Sequence, residues 1–386
     1  MADITGALAR CQDDLIAVRR HLHAHPELSG REYETCGYLG ARLAEIGIPY
    51  ETVGGRSIVA TIEGALPGRT VALRGDIDAL PIPEATGLSY ASQNPGVMHA
   101  CGHDCHGAMV FAAGKALWAL KSELRGTVKL IFQEAEETLS GAKAVIASGL
   151  VDDVDNFCMI HVNTYFDAGI FSIGYGPRSA KSAFFKIEVT GKGGHSSMPH
   201  RSVNALTVAC EIVSAVNHVA AYAFDRQESV VLVPTMLNCG LKENIIPETA
   251  TLSCHARYFD NALDEAVTDA VVRAAARTAE AFGATVKVET KIAGKPVMNE
   301  EKSVDRAMKI VRSMAGDVSL WIDKPTMGGE DFAFFVENKP GVMLALGAAP
   351  KGNYTALHSA NMTVEESSLA SGVEFFVRYA LDYLSE

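Results

Sequence analysis

The sequence lacks the features that mark membrane-spanning, nucleic-acid-binding and low-complexity proteins. No segment approaches the roughly 18 uninterrupted apolar residues of a membrane span, and internal repeats and biased tracts are absent. Basic residues are in deficit, because 34 Lys and Arg stand against 46 Asp and Glu and leave a net charge of −12. Nucleic acids and anionic membranes select basic faces, so we expect neither as a partner.

A disulfide framework is also missing. The eight cysteines are scattered at positions 11, 36, 101, 105, 158, 210, 239 and 254 of a 386-residue chain. In a chain of this size such scatter indicates reduced thiols. The segment from Met1 to Gly6 shows no basic region followed by an apolar run, so no signal peptide is expected. Together these patterns predict a cytoplasmic protein.

Four short apolar runs each lead to residues that can do chemistry. They are 70–74 before Asp76 and Asp78, 127–132 before Glu136 and Glu137, 157–160 before His161, and 341–346 before a loop with His358. Helical patterns at 7–25, 31–46, 108–121 and 141–148 accompany them. This alternation predicts an α/β fold with a layered, mostly parallel sheet. Ligands bind outside the carboxyl ends of such strands, so the four runs point to one rim.

The middle of the chain follows a different pattern. Strand patterns at 183–190, 230–237, 250–258 and 284–290 alternate with helical patterns at 204–222 and 262–282. The order β-α-β-β-α-β is that of a ferredoxin-like domain. We therefore predict a catalytic domain of residues 1–180 and 295–386, interrupted by an inserted lid or dimerisation domain of residues 181–294.

The densest chemistry lies between Cys101 and His106. These six residues contain two thiols, two imidazoles and one carboxylate. Soft thiolates and borderline imidazoles together suit zinc and neighbouring transition metals. Cys101 and His103 are two residues apart, so in an extended or loop conformation both can face one ion. A small structural zinc site would explain the cluster equally well.

The other candidate residues are individually ambiguous. Glu136 and Glu137 follow an apolar run, where one acid can ligate a metal while its neighbour faces a substrate, but a solvated helix N-terminus also favours Glu. His161 is explained as well by a satisfied core histidine, and His358 by a loop residue. Asp76 and Asp78 can cap the chain or orient ligand imidazoles. Taken together with Cys101 and His103, they form a plausible two-metal constellation.

Eight ordered motifs carry a family resemblance over nearly the whole chain. They are His25-Pro26-Glu27, Leu73 to Pro81, Met98 to Asp104, Ala135-Glu136-Glu137, Gly193 to His200, Asn244 to Pro247, Met327 to Phe332, and Leu357-His358-Ser359. The sequence resembles the di-metal aminoacylase/carboxypeptidase superfamily, in its N-acyl-amino-acid amidohydrolase branch, which includes hippurate hydrolases and auxin-conjugate hydrolases.

The resemblance implies a role for each matching position. It implies metal ligation at Cys101, His103, Glu137, His161 and His358, and a general base at Glu136. His195 in the inserted domain matches the residue that hydrogen-bonds the developing oxyanion, in relatives often across a dimer. Asn244 and Arg257 match substrate-holding positions, although a turn before Pro247 explains Asn244 and a surface ion pair explains Arg257.

The implied activity is hydrolysis of an N-acyl-amino-acid amide, with two divalent metals (zinc, manganese, cobalt or nickel) and a homodimer formed through the inserted domain. Departures from the family pattern occur at Glu134, where relatives have proline, at Thr138 to Gly141, after His161-Val162, and at Ala360. They concern the substrate more than the chemistry.

Three alternatives to this activity stay open. A dipeptidase or carboxypeptidase would use the same site. Cys101 with His103 or His106 could form a thiol nucleophile pair. A non-catalytic metal-binding protein is the third.

Overall fold

Two compact units make up the chain. The computed structural model describes residues 3–225, 227–316 and 319–386. The first unit comprises Met1–Arg178, Val297–Pro325 and Glu330–Glu386, and the second comprises Ser179–Pro296 with Thr326–Gly329. The short segment Thr326–Gly329 thus joins the second unit, although the sequence pattern assigned it to the catalytic domain.

The first stretch of unit one alternates helices with strands, as the sequence predicts. In chain order its elements are α1 Ile4–Ala9, α2 Gln12–Ala24, α3 Tyr33–Ile46, β1 Tyr50–Val53, β2 Ser57–Glu63, β3 Leu66–Asp76, α4 His103–Ala119, β4 Arg125–Gln133, α5 Gly141–Ala147, β5 Asn156–Asp167, β6 Phe171–Ile173 and β7 Gly176–Pro177.

The second unit is a four-stranded antiparallel sheet with helices on one face. Its elements are β8 Lys181–Thr190, β9 Gly194–His195, α6 Ala205–Tyr222, β10 Val231–Cys239, β11 Ile245–Ile246, β12 Thr249–Tyr258, α7 Leu263–Ala281 and β13 Thr285–Ala293. The strand order is β10-β12-β8-β13, with the short pair β11-β9 beside it. Phe185, Ile187 and Leu252 form its core with Ile212 of α6 and Val271 of α7. This is the ferredoxin-like arrangement that the sequence predicts.

The chain then returns to complete the large sheet of unit one. The remaining elements are β14 Met298–Asn299, α8 Glu301–Ala315, β15 Leu320–Ile322, β16 Gly341–Ala349 and α9 Leu369–Leu384. The sheet order is β1-β2-β4-β3-β5-β16-β6-β15. Its central strands β4, β3, β5 and β16 are adjacent and mutually parallel. The four apolar runs of the sequence are these four strands, which confirms the predicted α/β class with a mostly parallel centre.

Both faces of this sheet are covered. In β3, Val71 and Leu73 point into the core that includes α2, α4 and α9, whereas Ala72 points into a second core with Val145 of α5 and Phe332. Parallel strands buried on both faces read as continuous apolar runs rather than as an alternation. The sequence pattern of β3 therefore follows from its position in the middle layer.

Two predicted helices have different bounds in the structure. The helix predicted at 7–25 is two helices, because the chain turns tightly where the N–H of Cys11 donates to the carbonyl of Leu8. The helix predicted at 108–121 begins earlier, at His103. Its first turn is polar in sequence and so does not resemble a core helix, yet His103, Asp104 and His106 are buried there among charged partners.

One described helix, α6, has the length and hydropathy of a membrane-crossing segment. Val208, Ile212 and Val216 of this helix are nevertheless buried in the core of the second unit. These residues form the face of α6 that packs on the antiparallel sheet, and 28% of the apolar segment is buried.

A glycine allows α4 to approach the sheet closely. A Cβ on Gly75 of β3 would lie 2.7 Å from the carbonyl oxygen of His106, which is backbone and cannot turn away. We expect Gly75→Ala to lower the free energy of unfolding by about 1–3 kcal/mol through overpacking. The matched control is Gly37→Ala in α3, where a Cβ meets nothing within 4 Å and should stabilise the helix by about 0.5–1 kcal/mol. Denaturant unfolding of both variants is the measurement, and equal effects would contradict the close approach.

Candidate metal centre and active site

Cys101 and His103 lie on either side of a tight turn that opens α4. Gly102 has φ 86°, a left-handed conformation, and a Cβ there would lie 2.2 Å from Cγ2 of Val162. His103 is the first residue of the helix, whereas the sequence pattern placed the start of this helix at residue 108. The turn points both side chains into one group of potential ligands.

The Cys101 thiol is the shared member of two donor sets. Its Sγ lies 3.6 Å from Nε2 of His161 and 3.4 Å from Nε2 of His358. One set consists of Cys101, His103 and His161, and the other of Cys101, Glu137 and His358. Thiolate, imidazole and carboxylate are the ligand types of zinc and its transition-metal neighbours. The five residues predicted as ligands therefore meet at one place in unit one.

Two of these donor atoms are buried without partners. Nε2 of His103 and Oε1 of Glu137 have no hydrogen-bond partner among the described residues. The two atoms lie 4.0 Å apart, and Oε1 of Glu137 lies 3.2 Å from Nε2 of His358. A buried polar atom without a partner is costly. A bound cation would supply the missing partner of both atoms, so the residues of this site fit a metal ion.

The electrostatics favour the ionised thiol. Burial by itself would raise the pKa of Cys101, but the facing His103 and His161 outweigh it and lower the pKa to about 6. Conversely, a hydrogen bond with Cys101 and the nearby carboxylate of Glu137 raise the pKa of His358 to about 10. Thiolate is the form of cysteine that ligates metals, so Cys101 is prepared for that role at neutral pH.

Asp78 fixes the orientation of His103. Nδ1 of His103 lies 3.0 Å from both the backbone carbonyl oxygen and Oδ1 of Asp78, which leaves Nε2 directed at the other donors. The second carboxylate oxygen of Asp78 accepts from the hydroxyl of Ser29 at 2.7 Å and from the N–H of Glu137 at 3.1 Å. Of the two roles weighed for Asp78, the orienting one is therefore the one observed.

His106, the other histidine of the cluster, is fully occupied by hydrogen bonds. Its Nδ1 lies 2.5 Å from Oδ1 of Asp76, and its Nε2 accepts the N–H of Val162 at 2.8 Å. Burial lowers the pKa of His106 to about 4, in keeping with a neutral ring that accepts at Nε2. His106 therefore has no free nitrogen for a metal or for Cys101, and the proposed thiol pair of Cys101 with His106 does not form.

Glu136 occupies a turn rather than the extended strand end or helix N-terminus that the sequence suggested. Strand β4 ends at Gln133 and α5 begins at Gly141. The side chain of Glu136 is buried, and its Oε1 accepts the N–H of Asp331 at 3.2 Å. Burial, followed by the charges of Glu330 and Asp331, raises the pKa of Glu136 well above its usual range. A carboxyl group in such a place is suited to exchanging protons.

Arg74 is a charged residue beside this centre that the sequence analysis did not single out. Its guanidinium is completely buried and contacts three carboxylates: Asp76 at 2.7 Å, Asp331 at 2.6 Å and Glu330 at 3.2 Å. It thereby connects the end of β3 to the acidic pair that borders Glu136. The available signal was an arginine at the end of an apolar run, where a buried charge requires partners.

His195, Asn244 and Arg257, the remaining predicted site residues, belong to the second unit. His195 is exposed, and its Nδ1 lies 2.8 Å from the hydroxyl of Ser197. The carbonyl of Asn244 accepts the N–H of Ser196 at 3.2 Å, so Asn244 and His195 are neighbours. Arg257, on β12, is half-buried and donates to the carbonyl of Met327.

Comparison with known sequences gives relatives along almost the full length of the chain. A thermostable carboxypeptidase of Saccharolobus solfataricus is 35% identical over 368 residues, which are 94% of this chain and 93% of that protein. An N-acyl-L-amino acid amidohydrolase of Geobacillus stearothermophilus is 36% identical over 295 residues, 76% of this chain and 80% of that protein.

Solved structures agree with these sequence relatives. A Bacillus subtilis protein described as a dinuclear metal-binding peptidase of the M20 family superposes with a TM-score of 0.87 at 29% identity, covering 98% of this chain and 99% of that one. The sequence model of peptidase family M20/M25/M40 matches residues 72–382, which include every candidate metal ligand and Glu136. This chain is therefore a member of the M20/M25/M40 peptidase family.

Proposed function

We propose that the protein hydrolyses the amide bond of an N-acyl-amino acid, such as a hippurate-like substrate, and releases a carboxylic acid and an amino acid. The observation that supports this most directly is the Cys101 thiol shared by two donor sets beside the buried carboxyl of Glu136. The amidohydrolase relative from Geobacillus stearothermophilus adds support for the substrate class.

Cys101, His103, Glu137, His161 and His358 would hold two divalent transition-metal ions. Zinc, manganese, cobalt and nickel all accept this mixture of thiolate, imidazole and carboxylate ligands. When bound, such ions supply Lewis acidity, which lowers the pKa of water and polarises a carbonyl oxygen. The dinuclear metal binding of the Bacillus subtilis neighbour supports a count of two.

Glu136 is the proton carrier of the proposed reaction. Its carboxylate takes a proton from the attacking water, and the resulting carboxylic acid returns that proton to the nitrogen of the leaving amine. The N–H of Asp331, 3.2 Å from Oε1, holds the carboxyl in place during both transfers. A proton that is taken and returned at one site leaves Glu136 unchanged after a turnover.

The second unit supplies the substrate contacts in this proposal. His195 donates a hydrogen bond to the oxyanion that develops on the scissile carbonyl. Arg257 grips the free carboxylate of the amino acid, for which a guanidinium offers two parallel donors, and Asn244 hydrogen-bonds the substrate nearby. The resemblance of the motifs Gly193 to His200 and Asn244 to Pro247 supports the roles of His195 and Asn244, and the match of Arg257 to a substrate-holding position of the family supports its role.

A carboxypeptidase or dipeptidase is the second candidate function. The relative from Saccharolobus solfataricus is named a carboxypeptidase, and Arg257 would bind the free carboxylate of a peptide equally well. Steady-state rates on N-benzoylglycine and on the dipeptide Gly-Gly separate the two functions, because the first has an acylated nitrogen and the second a free amine. Faster turnover of the dipeptide would favour the peptidase.

We also propose a reducing, cytoplasmic location and a homodimer through the second unit. All eight cysteines are free thiols, and Cys101 must stay reduced to bind metal.

Edge strand β13 carries the charges of Lys287, Glu289 and Lys291, whereas edge strand β10 has none and exposes Val231, Val233 and Met236.

Charges protect an edge strand against pairing, so β10 is the edge suited to a second copy. Light scattering after gel filtration should give twice the 41.1 kDa chain mass. Val233→Lys on that edge should shift it towards one chain mass, whereas a monomeric wild type would contradict the dimer.

The metal content of the purified protein tests the centre directly. We expect about two transition-metal equivalents per chain by elemental mass spectrometry, and fewer in Cys101→Ala, because the shared thiolate serves both donor sets. A chelator should abolish activity and zinc or manganese should restore it. Activity that survives chelation and is lost only on thiol alkylation would instead favour a Cys101 nucleophile.

The adjacent acids Glu136 and Glu137 offer a matched pair of variants. Glu136→Gln should lower kcat on N-benzoylglycine by about 10²–10⁴-fold, the usual worth of a general base, with metal content near wild type. Glu137→Gln should lose both metal and activity, because it removes a charged ligand. Comparable loss of metal in both variants, or full activity of Glu136→Gln, would overturn the assignment.

A further inference from the structure

The segment that carries Glu136 and Glu137 has an unfavourable backbone. Ala135 has φ 52° and Leu139 has φ 55°, both in the left-handed region although neither is glycine. A side chain with a Cβ is disfavoured there, and such residues persist only where their surroundings hold them. The proposed base and the proposed ligand are therefore flanked by two residues whose conformation needs external support.

Glu32 provides that support at Ala135. Its Oε1 accepts the N–H of Ala135 at 2.8 Å and the N–H of Gly30 at 2.8 Å. The residue is completely buried, and Oε2 has no hydrogen-bond partner among the described residues. Because the carboxyl group of Glu32 is buried and binds two backbone N–H groups, it constrains the backbone conformation at Gly30 and Ala135.

Other contacts act on the carbonyl of Ala135, which accepts the hydroxyl of Thr138 at 3.2 Å and the N–H groups of Ser140 and Gly141 at 3.3 Å, and on the neighbouring residues. The N–H of Glu134 donates to the hydroxyl of Ser57 at 3.0 Å, and the carboxylate of Glu134 pairs with Arg56. The N–H of Glu137 donates to Asp78 at 3.1 Å. Glu32 is the group that binds the amide of the strained residue itself, one position before Glu136.

From this geometry we propose that Glu32 is a positioning residue, which holds Ala135 in its left-handed conformation and so aims Glu136 and Glu137 into the site. The inference rests on the proposed function of those two acids. Glu32 contacts the backbone at Gly30 and Ala135 and belongs to neither donor set. Its effect on the reaction passes through the peptide unit between Glu134 and Ala135.

Glu32→Gln is a suitable control variant, because Gln is a neutral isostere of Glu. Burial raises the pKa of Glu32 to about 7, so both the charged and the neutral carboxyl group are accessible near neutral pH. Either form keeps an acceptor oxygen, as does the amide oxygen of Gln. Glu32→Ala removes the acceptor, and Glu32→Asp withdraws it by one methylene.

The test is a double-mutant cycle between Glu32→Ala and Ala135→Gly. Glycine adopts positive φ without the Cβ penalty, so it should reduce the need for Glu32. We expect Glu32→Ala to lower kcat about 10- to 100-fold with KM little changed, and Glu32→Gln to restore most of it. In the Ala135→Gly background, removing Glu32 should cost several-fold less.

Two further measurements do not depend on activity. Hydrogen–deuterium exchange of a peptide covering 133–141 should be faster in Glu32→Ala and near wild type in Glu32→Gln. Zinc affinity of the metal-free protein, measured by chelator competition, should fall because Glu137 is less well placed. If Glu32→Ala does not fold, Glu32→Asp takes its place in the cycle and in both measurements.

Unchanged exchange and zinc affinity in Glu32→Ala would overturn the positioning role, as would equal losses in the two Ala135 backgrounds. These results differ from a failure of the proposed function. In that case the wild-type protein itself would bind no metal and would not hydrolyse N-acyl-amino acids, whatever the exchange rates of the Glu32 variants.

Discussion

The centre of the first unit depends on the ion pairs that the buried guanidinium of Arg74 makes. A charge removed from water requires partners that replace its hydration, and loss of one partner from such a group leaves an uncompensated buried charge. Arg74 meets this requirement with Asp76, Glu330 and Asp331, whose carboxylates would otherwise repel one another. The single guanidinium group of Arg74 thereby allows an acidic cluster to be buried next to Glu136.

From Arg74 the constraint extends to the candidate ligands through hydrogen bonds. Asp76 binds Nδ1 of His106, and Nε2 of His106 binds the N–H of Val162, the residue after His161. The ring of His161 is fixed in turn, with Nδ1 2.7 Å from the carbonyl oxygen of Val162. Metal ligands depend on such outer partners for their orientation and basicity. The strand ends, the helix start and the imidazoles therefore form one connected framework rather than independent donors.

The sequence was sufficient to predict the residue types of the centre and the strands that deliver them. The four apolar runs are adjacent parallel strands, and the five predicted ligands do meet. What it could not predict are features that depend on contacts distant in the chain. The occupied nitrogens of His106 are set by Asp76 and Val162, and the left-handed Ala135 is held by Glu32. Local pattern contains neither partner, so Cys101 with His106 stayed open as a nucleophile pair.

The position of the inserted unit has a consequence for how the chain acquires its structure during synthesis. Unit two is essentially continuous from Ser179 to Pro296, so its sheet can form as soon as that stretch has emerged. Strand β5 of unit one, in contrast, pairs with β16, which is made only after the whole insertion. Glu330, Asp331 and His358 also come from that last stretch. On a ribosome, where domains tend to fold in the order they emerge, the inserted unit can therefore be complete before unit one has received its final strand and its last candidate ligand.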